Sequence, residues 1–226
     1  GARQPSITTL DPVTARSATS EGLSLLDGAP RSGVEVQPLE VPGPGGPLDA
    51  RLYLPAGSTG PLPGLVFFHF GGCVIGDLDT CHTFCSMISD IAGIAVLNVA
   101  YRLAPEHRFP AQVHDAVAAY RWAQGNAEDL RMIPGRIGVG GDSAGGYLSA
   151  VVAQEAKRGG FEAPALQLLI YPVTDWGWKS GSMESCANVY PLTAEIMEWF
   201  GAHYLNAASE KDDVRVSPMK EADLSG

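Results

Sequence analysis

Apolar positions along this 226-residue chain fall into two rhythms. LVFFHF (65–70) and IAVLNVA (94–100) are short unbroken runs, as expected of strands buried on both faces. RIGVGG (136–141) and LQLLIY (166–171) read as two further strands. Stretches near 79–91, near 112–124 and from 143 to about 158 carry helical patterning between them. Strand and helix therefore alternate, which predicts right-handed crossovers and a mainly parallel sheet with helices on both faces.

The two ends of the chain break this rhythm. Residues 11–27 predict a helix that starts at Asp11 and has Pro12 in its first position. VEVQPLEV (34–41) and DARLYL (49–54) predict strands, and PGPGGP between them is turn chemistry, so the two pair as a hairpin in a mixed sheet. GSTGPLPG (57–64) predicts a loop. Residues 176–210 lose the alternation, are rich in Trp, Met and Tyr, and include a helical stretch, TAEIMEWFGAHYL (193–205).

Composition narrows the function classes. A chain that is 45% hydrophobic and 18% charged can bury a sizeable core as one large domain. Its net charge of −10 would repel nucleic-acid phosphates. No apolar stretch approaches the ~20 residues that span a bilayer. The first residues, GARQPSITTLDP, show no charged-then-apolar signal pattern, so the expectation is a cytoplasmic protein. Cys73, Cys81, Cys85 and Cys186 form neither a disulfide nor a zinc framework and read as free thiols.

The chemistry is concentrated in GGDSAGG (140–146), which follows a predicted strand and opens a predicted helix. Gly141-Asp142-Ser143-Ala144-Gly145 fits G-x-S-x-G, in which a serine nucleophile sits on a sharp strand-to-helix turn. Small neighbours let strand and helix approach closely. Ser143 would then project at the carboxyl end of the sheet, and the Ala144 N–H would face a developing oxyanion. A dinucleotide loop is disfavoured, because Ser143 stands where a third glycine belongs and no phosphate-binding lysine follows. An inert serine on a tight turn remains the simpler alternative.

HFGGCVIGD (69–77) follows a predicted buried strand and is similar to loops that supply oxyanion-hole donors. His69 is expected to hold this loop by hydrogen bonds. In YRLAPEHRFPAQVHDA (101–116), Arg102, Glu106 and His107 are expected to pin a long loop through charged hydrogen bonds. His114 and Asp115 are expected to belong to the following helix.

Taken in order, HFGG, YRLAPEHRFPA, GDSAGG and LIYPVTD (169–175) resemble the hormone-sensitive-lipase family of α/β-hydrolases, in its bacterial carboxylesterase branch, from about residue 35 onward. The resemblance implies an α/β-hydrolase fold with a mostly parallel central sheet and a small helical cap. It also implies hydrolysis of short- to medium-chain carboxylic esters, with a small-molecule ester as partner and no cofactor or metal. The implied organisation is a cap segment over 1–33, a core over 34–175, a cap insertion over 176–215 and a return to the core over 216–226. Ser143 matches the nucleophile, and Gly71, Gly72 and Ala144 match the oxyanion-hole positions. Asp142, Tyr171 and Cys73 are candidates for the pocket. Phe70 stands where the family's first loop glycine belongs, and would be strained if that position requires positive φ. Cys73 occupies a place that is often bulky in the family, which would widen the pocket.

The family's acid and base motifs have no counterpart here. After Ser143 the only histidine is His203, in the cap-like stretch, and Asp175, Asp212 and Asp213 match no acid position. The expectation is therefore that the C-terminal part of the fold is missing from these residues. Catalytic Asp and His would lie beyond residue 226, in the same chain or on a second polypeptide. Alternatives are an amidase or deacetylase, and a small-ligand receptor that has lost hydrolysis. Family members also dimerise, which makes a homodimer a further expectation.

Overall fold

Strands β1 (Val34–Gly43), β2 (Gly46–Pro55), β3 (Leu62–Phe68), β4 (Ala95–Val99), β5 (Met132–Asp142) and β6 (Gln167–Ile170) form one sheet in the order β1-β2-β4-β3-β5-β6. The structure is a computed structural model that describes residues 6–178 and 180–225. Residues 1–5 of the expected N-terminal segment, Lys179 and Gly226 lie outside the described residues. β3 pairs in parallel with β4 and β5, β5 pairs in parallel with β6, and the β1–β2 hairpin joins β4 antiparallel through β2.

Alternation along β3 shows why helices cover both faces. Val66 and Phe68 pack into one apolar cluster with residues of α3 (Ala111–Gly125) and α4 (Ala144–Gly159). Leu65 and Phe67 point into a second cluster with Cys85 of α2 (His82–Ala92). Side chains of a strand alternate between faces, so α2 lies on one side of the sheet and α3 with α4 on the other. β4 is buried along its whole length, Asn98 included, as expected of a mostly apolar run.

The hairpin runs further than its sequence suggests. Pairing continues through Pro42↔Pro47 to Gly43↔Gly46, leaving only Pro44 and Gly45 between the strands. β1 is an edge strand, where a proline can forgo a ladder hydrogen bond.

Outside the sheet, α1 (Pro12–Ser24) starts as predicted, with the Asp11 carboxylate accepting from the Val13 and Thr14 N–H groups. Arg16 of α1 donates to the carbonyls of Val74 and Ala104 and pairs with Glu106 at 2.7 Å. That one side chain ties α1 to both the 69–77 loop and the 101–110 loop. A one-turn α5 (Gly181–Ser185) and α6 (Ala194–Tyr204) follow β6. The last described segment returns alongside 174–176, where Met219 N–H donates to Thr174 O and Trp176 N–H to the Ser217 hydroxyl.

Candidate active site

β5 ends at Asp142 and α4 begins at Ala144, so Ser143 alone turns the chain between them. Its backbone has φ 52° and ψ −112°, a sparsely populated region that costs on the order of 1–3 kcal/mol. Neighbouring hydrogen bonds hold it there. Ser143 N–H donates to Ile170 O at 2.9 Å, while Ser143 O accepts from Tyr147 N–H at 3.0 Å and from Val173 N–H at 3.3 Å. The flanking glycines are sterically required. A Cβ on Gly141 would meet the Gly145 carbonyl carbon at 2.3 Å, and one on Gly145 would meet Phe68 O at 1.8 Å. Ala144 opens α4, so its N–H has no partner one turn earlier in the helix.

The 69–77 loop leaves the carboxyl end of β3, next to β5 in the sheet. Gly71, Gly72 and Cys73 take φ values of 117°, 59° and 63°, and Gly71 O accepts from the N–H groups of Val74 and Ile75. Among the described residues, neither the Gly71 nor the Gly72 N–H has a backbone acceptor. Phe70 is not among the residues with positive φ, so phenylalanine costs no backbone strain there. The non-glycine strain falls on Cys73 instead.

His69 fastens this loop. It is buried, stacks on Tyr101 with centroids 4.3 Å apart, and its Nδ1 lies 2.7 Å from Phe70 O. A carbonyl only accepts, so Nδ1 carries a proton in this bond. The Tyr101 hydroxyl donates to His69 O at 2.8 Å. Burial pushes the imidazole down to about 4, which keeps it neutral near pH 7.

Ser143 and Gly72 meet at one small cavity of about 20 Å³. Its other walls come from Val173, Trp176 and Trp178 after β6, and from Leu192, Met197 and Phe200 on and before α6. Phe200 packs so closely over Gly72 that a Cβ there would meet its ring at 2.3 Å. A serine at a strained strand end and a glycine whose N–H has no backbone acceptor thus line one small, mostly apolar cavity.

A family model described as alpha/beta hydrolase fold matches residues 65–226. This chain belongs to that family. The chain is 45% identical over 203 residues to carboxylic ester hydrolase LipN of Mycobacterium tuberculosis, covering 87% of the chain and 54% of that protein. It is 39% identical over 175 residues to ethyl acetate hydrolase of Pseudomonas putida, covering 76% of the chain and 55% of that protein. The chain thus spans about half the length of these curated relatives. Among solved structures, an esterase of Pyrobaculum calidifontis superposes with a TM-score of 0.92 at 35% identity, covering 99% of this chain and 74% of that one. An ester hydrolase from the Lake Arreo metagenome, solved with a bipyridine phosphonate derivative, superposes with a TM-score of 0.95 at 37% identity, covering 99% and 71%. The resemblance to the hormone-sensitive-lipase family therefore stands.

The other sequence candidates, Gly71 and Ala144 included, do not line the cavity. Asp142 is 8% exposed, accepts from the Tyr171 hydroxyl at 3.2 Å, and has the Cys81 thiol 3.8 Å away. Burial raises its carboxyl above the usual range. Tyr171 stands at the surface, and its phenol is raised to about 12, by desolvation first and then by the Asp142 charge. Cys73 is fully buried in the core and does not line the cavity. His203 packs edge-on against Trp199 on α6 and does not line the cavity either. Among the described residues, no helix is long and apolar enough to cross a membrane.

Arg102 and Glu106 pin the 101–110 loop as expected, each through a partner not foreseen, whereas His107 contributes its backbone N–H and carbonyl to hydrogen bonds. Arg102 forms a two-pronged pair with Asp115, at 2.7 Å for the shortest contact, and also donates its backbone N–H to that carboxylate. Asp115 is fully buried on the helix to which the sequence assigned it. Arg16 holds Glu106 so firmly that its carboxyl falls to about 2. Apart from Val173, which falls in the LIYPVTD motif, the cavity walls after β6 were marked in the sequence only as part of the aromatic-rich stretch 176–210. Their signal was the clustering of Trp176, Trp178 and Trp199 where the strand–helix rhythm stops.

Proposed function

We propose that the protein is a serine carboxylesterase acting on short- to medium-chain esters. The observation that carries this reading is the shared cavity of Ser143 and Gly72, with Ser143 held in a strained turn by three backbone hydrogen bonds. The similarity to proteins named as ester hydrolases supports it.

In this reading the Ser143 hydroxyl attacks the ester carbonyl and passes its proton to a histidine. The resulting oxyanion accepts hydrogen bonds from the N–H groups of Gly71, Gly72 and Ala144. Each such donor typically contributes about 10²–10³ in rate. Collapse expels the alcohol, which takes up that proton, and leaves an acyl group on Ser143. Water then attacks the acyl carbonyl, frees the carboxylic acid and regenerates the serine. We assign the histidine and its acid partner to polypeptide beyond Gly226, as the length of the relatives suggests. His203 and His69 are not suited to the task. One faces Trp199, and the other is buried and held against Phe70 O. Residues 1–33 and 176–215 act as the cap, with Met197 and Phe200 closing the cavity over the serine.

Turnover of p-nitrophenyl butyrate by the natural polypeptide that carries this chain tests the reading. Ser143→Ala is expected to lower kcat at least 10³-fold while leaving the fold intact. Equal turnover by the variant contradicts it.

A further inference from the structure

Among the described residues, four buried side-chain polar atoms have no protein hydrogen-bond partner. Two are acceptors, Asn98 Oδ1 and Gln112 Oε1, and neither residue lines the cavity that holds Ser143. The other two are the only donors of the set, the indole N–H groups of Trp176 and Trp178, and both residues line the cavity that holds Ser143. An indole nitrogen donates and never accepts, and a buried donor is rarely left unmatched.

The local structure invests in holding these rings there. Trp178 takes φ 51°, a left-handed conformation that a bulky residue adopts only under constraint. Its benzo edge rests on α6, where a Cβ on Gly201 would meet Cη2 at 3.0 Å. Lys211 Nζ sits over its ring, 4.4 Å from the centroid. Trp176 is 1% exposed, packed against Tyr147 and Tyr204 and lying 5.6 Å from Trp178. A cavity of about 20 Å³ has room for roughly one water-sized group. An acceptor atom that reached the indole N–H groups would match them, which a longer alkyl tail would not.

We propose that Trp176 and Trp178 form an acceptor-binding subsite, which makes the preferred substrate an ester with a second oxygen, ether or carbonyl, in one of its arms. This rests on the esterase reading above and names its substrate class. The indoles donate to that oxygen while Ser143 attacks the ester carbonyl. A plain alkyl ester buries the same donors unmatched and reacts more slowly.

The test compares isosteric pairs on the natural polypeptide. One pair is p-nitrophenyl methoxyacetate against p-nitrophenyl butyrate, and the other is 2-methoxyethyl acetate against butyl acetate. Each kcat/KM ratio is divided by the same ratio for hydroxide-catalysed hydrolysis, which removes intrinsic reactivity. The expected normalised preference is about tenfold for the oxygenated member of one pair, falling to about one in Trp176→Phe/Trp178→Phe. Because the readout is a ratio within each variant, general damage to activity cancels. A normalised ratio near one for both pairs, or a preference that survives the substitutions, overturns the proposal. Should the double variant not fold, ¹⁵N-indole resonances of Trp176 and Trp178 in Ser143→Ala replace it. They are expected to move downfield with the oxygenated ester and not with its alkyl counterpart, and unmoved resonances overturn the subsite. Failure to hydrolyse any of the four esters would instead refute the esterase reading, and the resonances would still report on the subsite.

Discussion

Gly145 lies against the Phe68 carbonyl so tightly that a Cβ would come within 1.8 Å of its oxygen. That contact seats the first turn of α4 on the end of β3, and the Ser143 turn depends on it. Gly145→Ala must push backbone against backbone, so it is expected to destabilise the fold by about 3 kcal/mol or more. Gly22→Ala in α1 is the control. Nothing lies within 4 Å of that site, and helix propensity alone should make it neutral or stabilising by about 0.5–1 kcal/mol. Urea unfolding of both variants measures the difference.

Gly72→Ala keeps the backbone N–H but places a methyl where the Phe200 ring sits, 2.3 Å away, at φ 59°. Either the loop or α6 must yield. A shift of the donor by a fraction of an ångström is expected to lower kcat for p-nitrophenyl butyrate by about tenfold or more. A smaller effect on melting temperature than that of Gly145→Ala would show that the loss is local.

His69 gives stability a defined acid dependence. Its imidazole is held down to about 4 by burial, against 6.5 for the free side chain. Between those values the unfolded chain binds the proton more readily than the folded one. The contribution is therefore fully present above pH 6.5, is lost as pH falls toward 4, and levels off below it. The loss amounts to roughly 3 kcal/mol at about 1.4 kcal/mol per pH unit. His69→Gln cannot titrate, so its stability should fall less between pH 7 and pH 4 than that of the parent. Chemical denaturation at a series of pH values reads this directly.

Asp115 is fully buried against Arg102, whose side chain is 22% exposed. Removing the carboxylate leaves a guanidinium in a cramped, half-dry site and strips the Arg102 N–H of its acceptor. Asp115→Ala is expected to cost about 2–4 kcal/mol in urea unfolding. Glu106→Gln, whose surface pair with Arg16 is half in water, should cost less than about 1 kcal/mol.

The serine turn was legible in the sequence because its constraints are local. Gly141 and Gly145 must be glycine for contacts within five residues and with the adjacent strand, so GGDSAGG carries its own geometry. The buried runs in β3 and β4 were legible for a similar reason, since strands covered on both faces are almost wholly apolar, Asn98 of β4 being the exception. What escaped depends on distant partners. Nothing near Asp115 announces Arg102, and nothing near Arg16 announces the Val74 and Ala104 carbonyls. The strain expected at Phe70 falls on Cys73 instead, because the loop turns over after Phe70 and not at it. The cavity walls combine Gly72, Ser143 and residues 173–200, which only the folded chain brings together.

The most direct test of the account is covalent labelling of the natural polypeptide with a fluorophosphonate, followed by peptide mass spectrometry. The account predicts one adduct, on Ser143, absent from Ser143→Ala. A properly folded protein that takes no label on Ser143, or takes it on another serine, would contradict it.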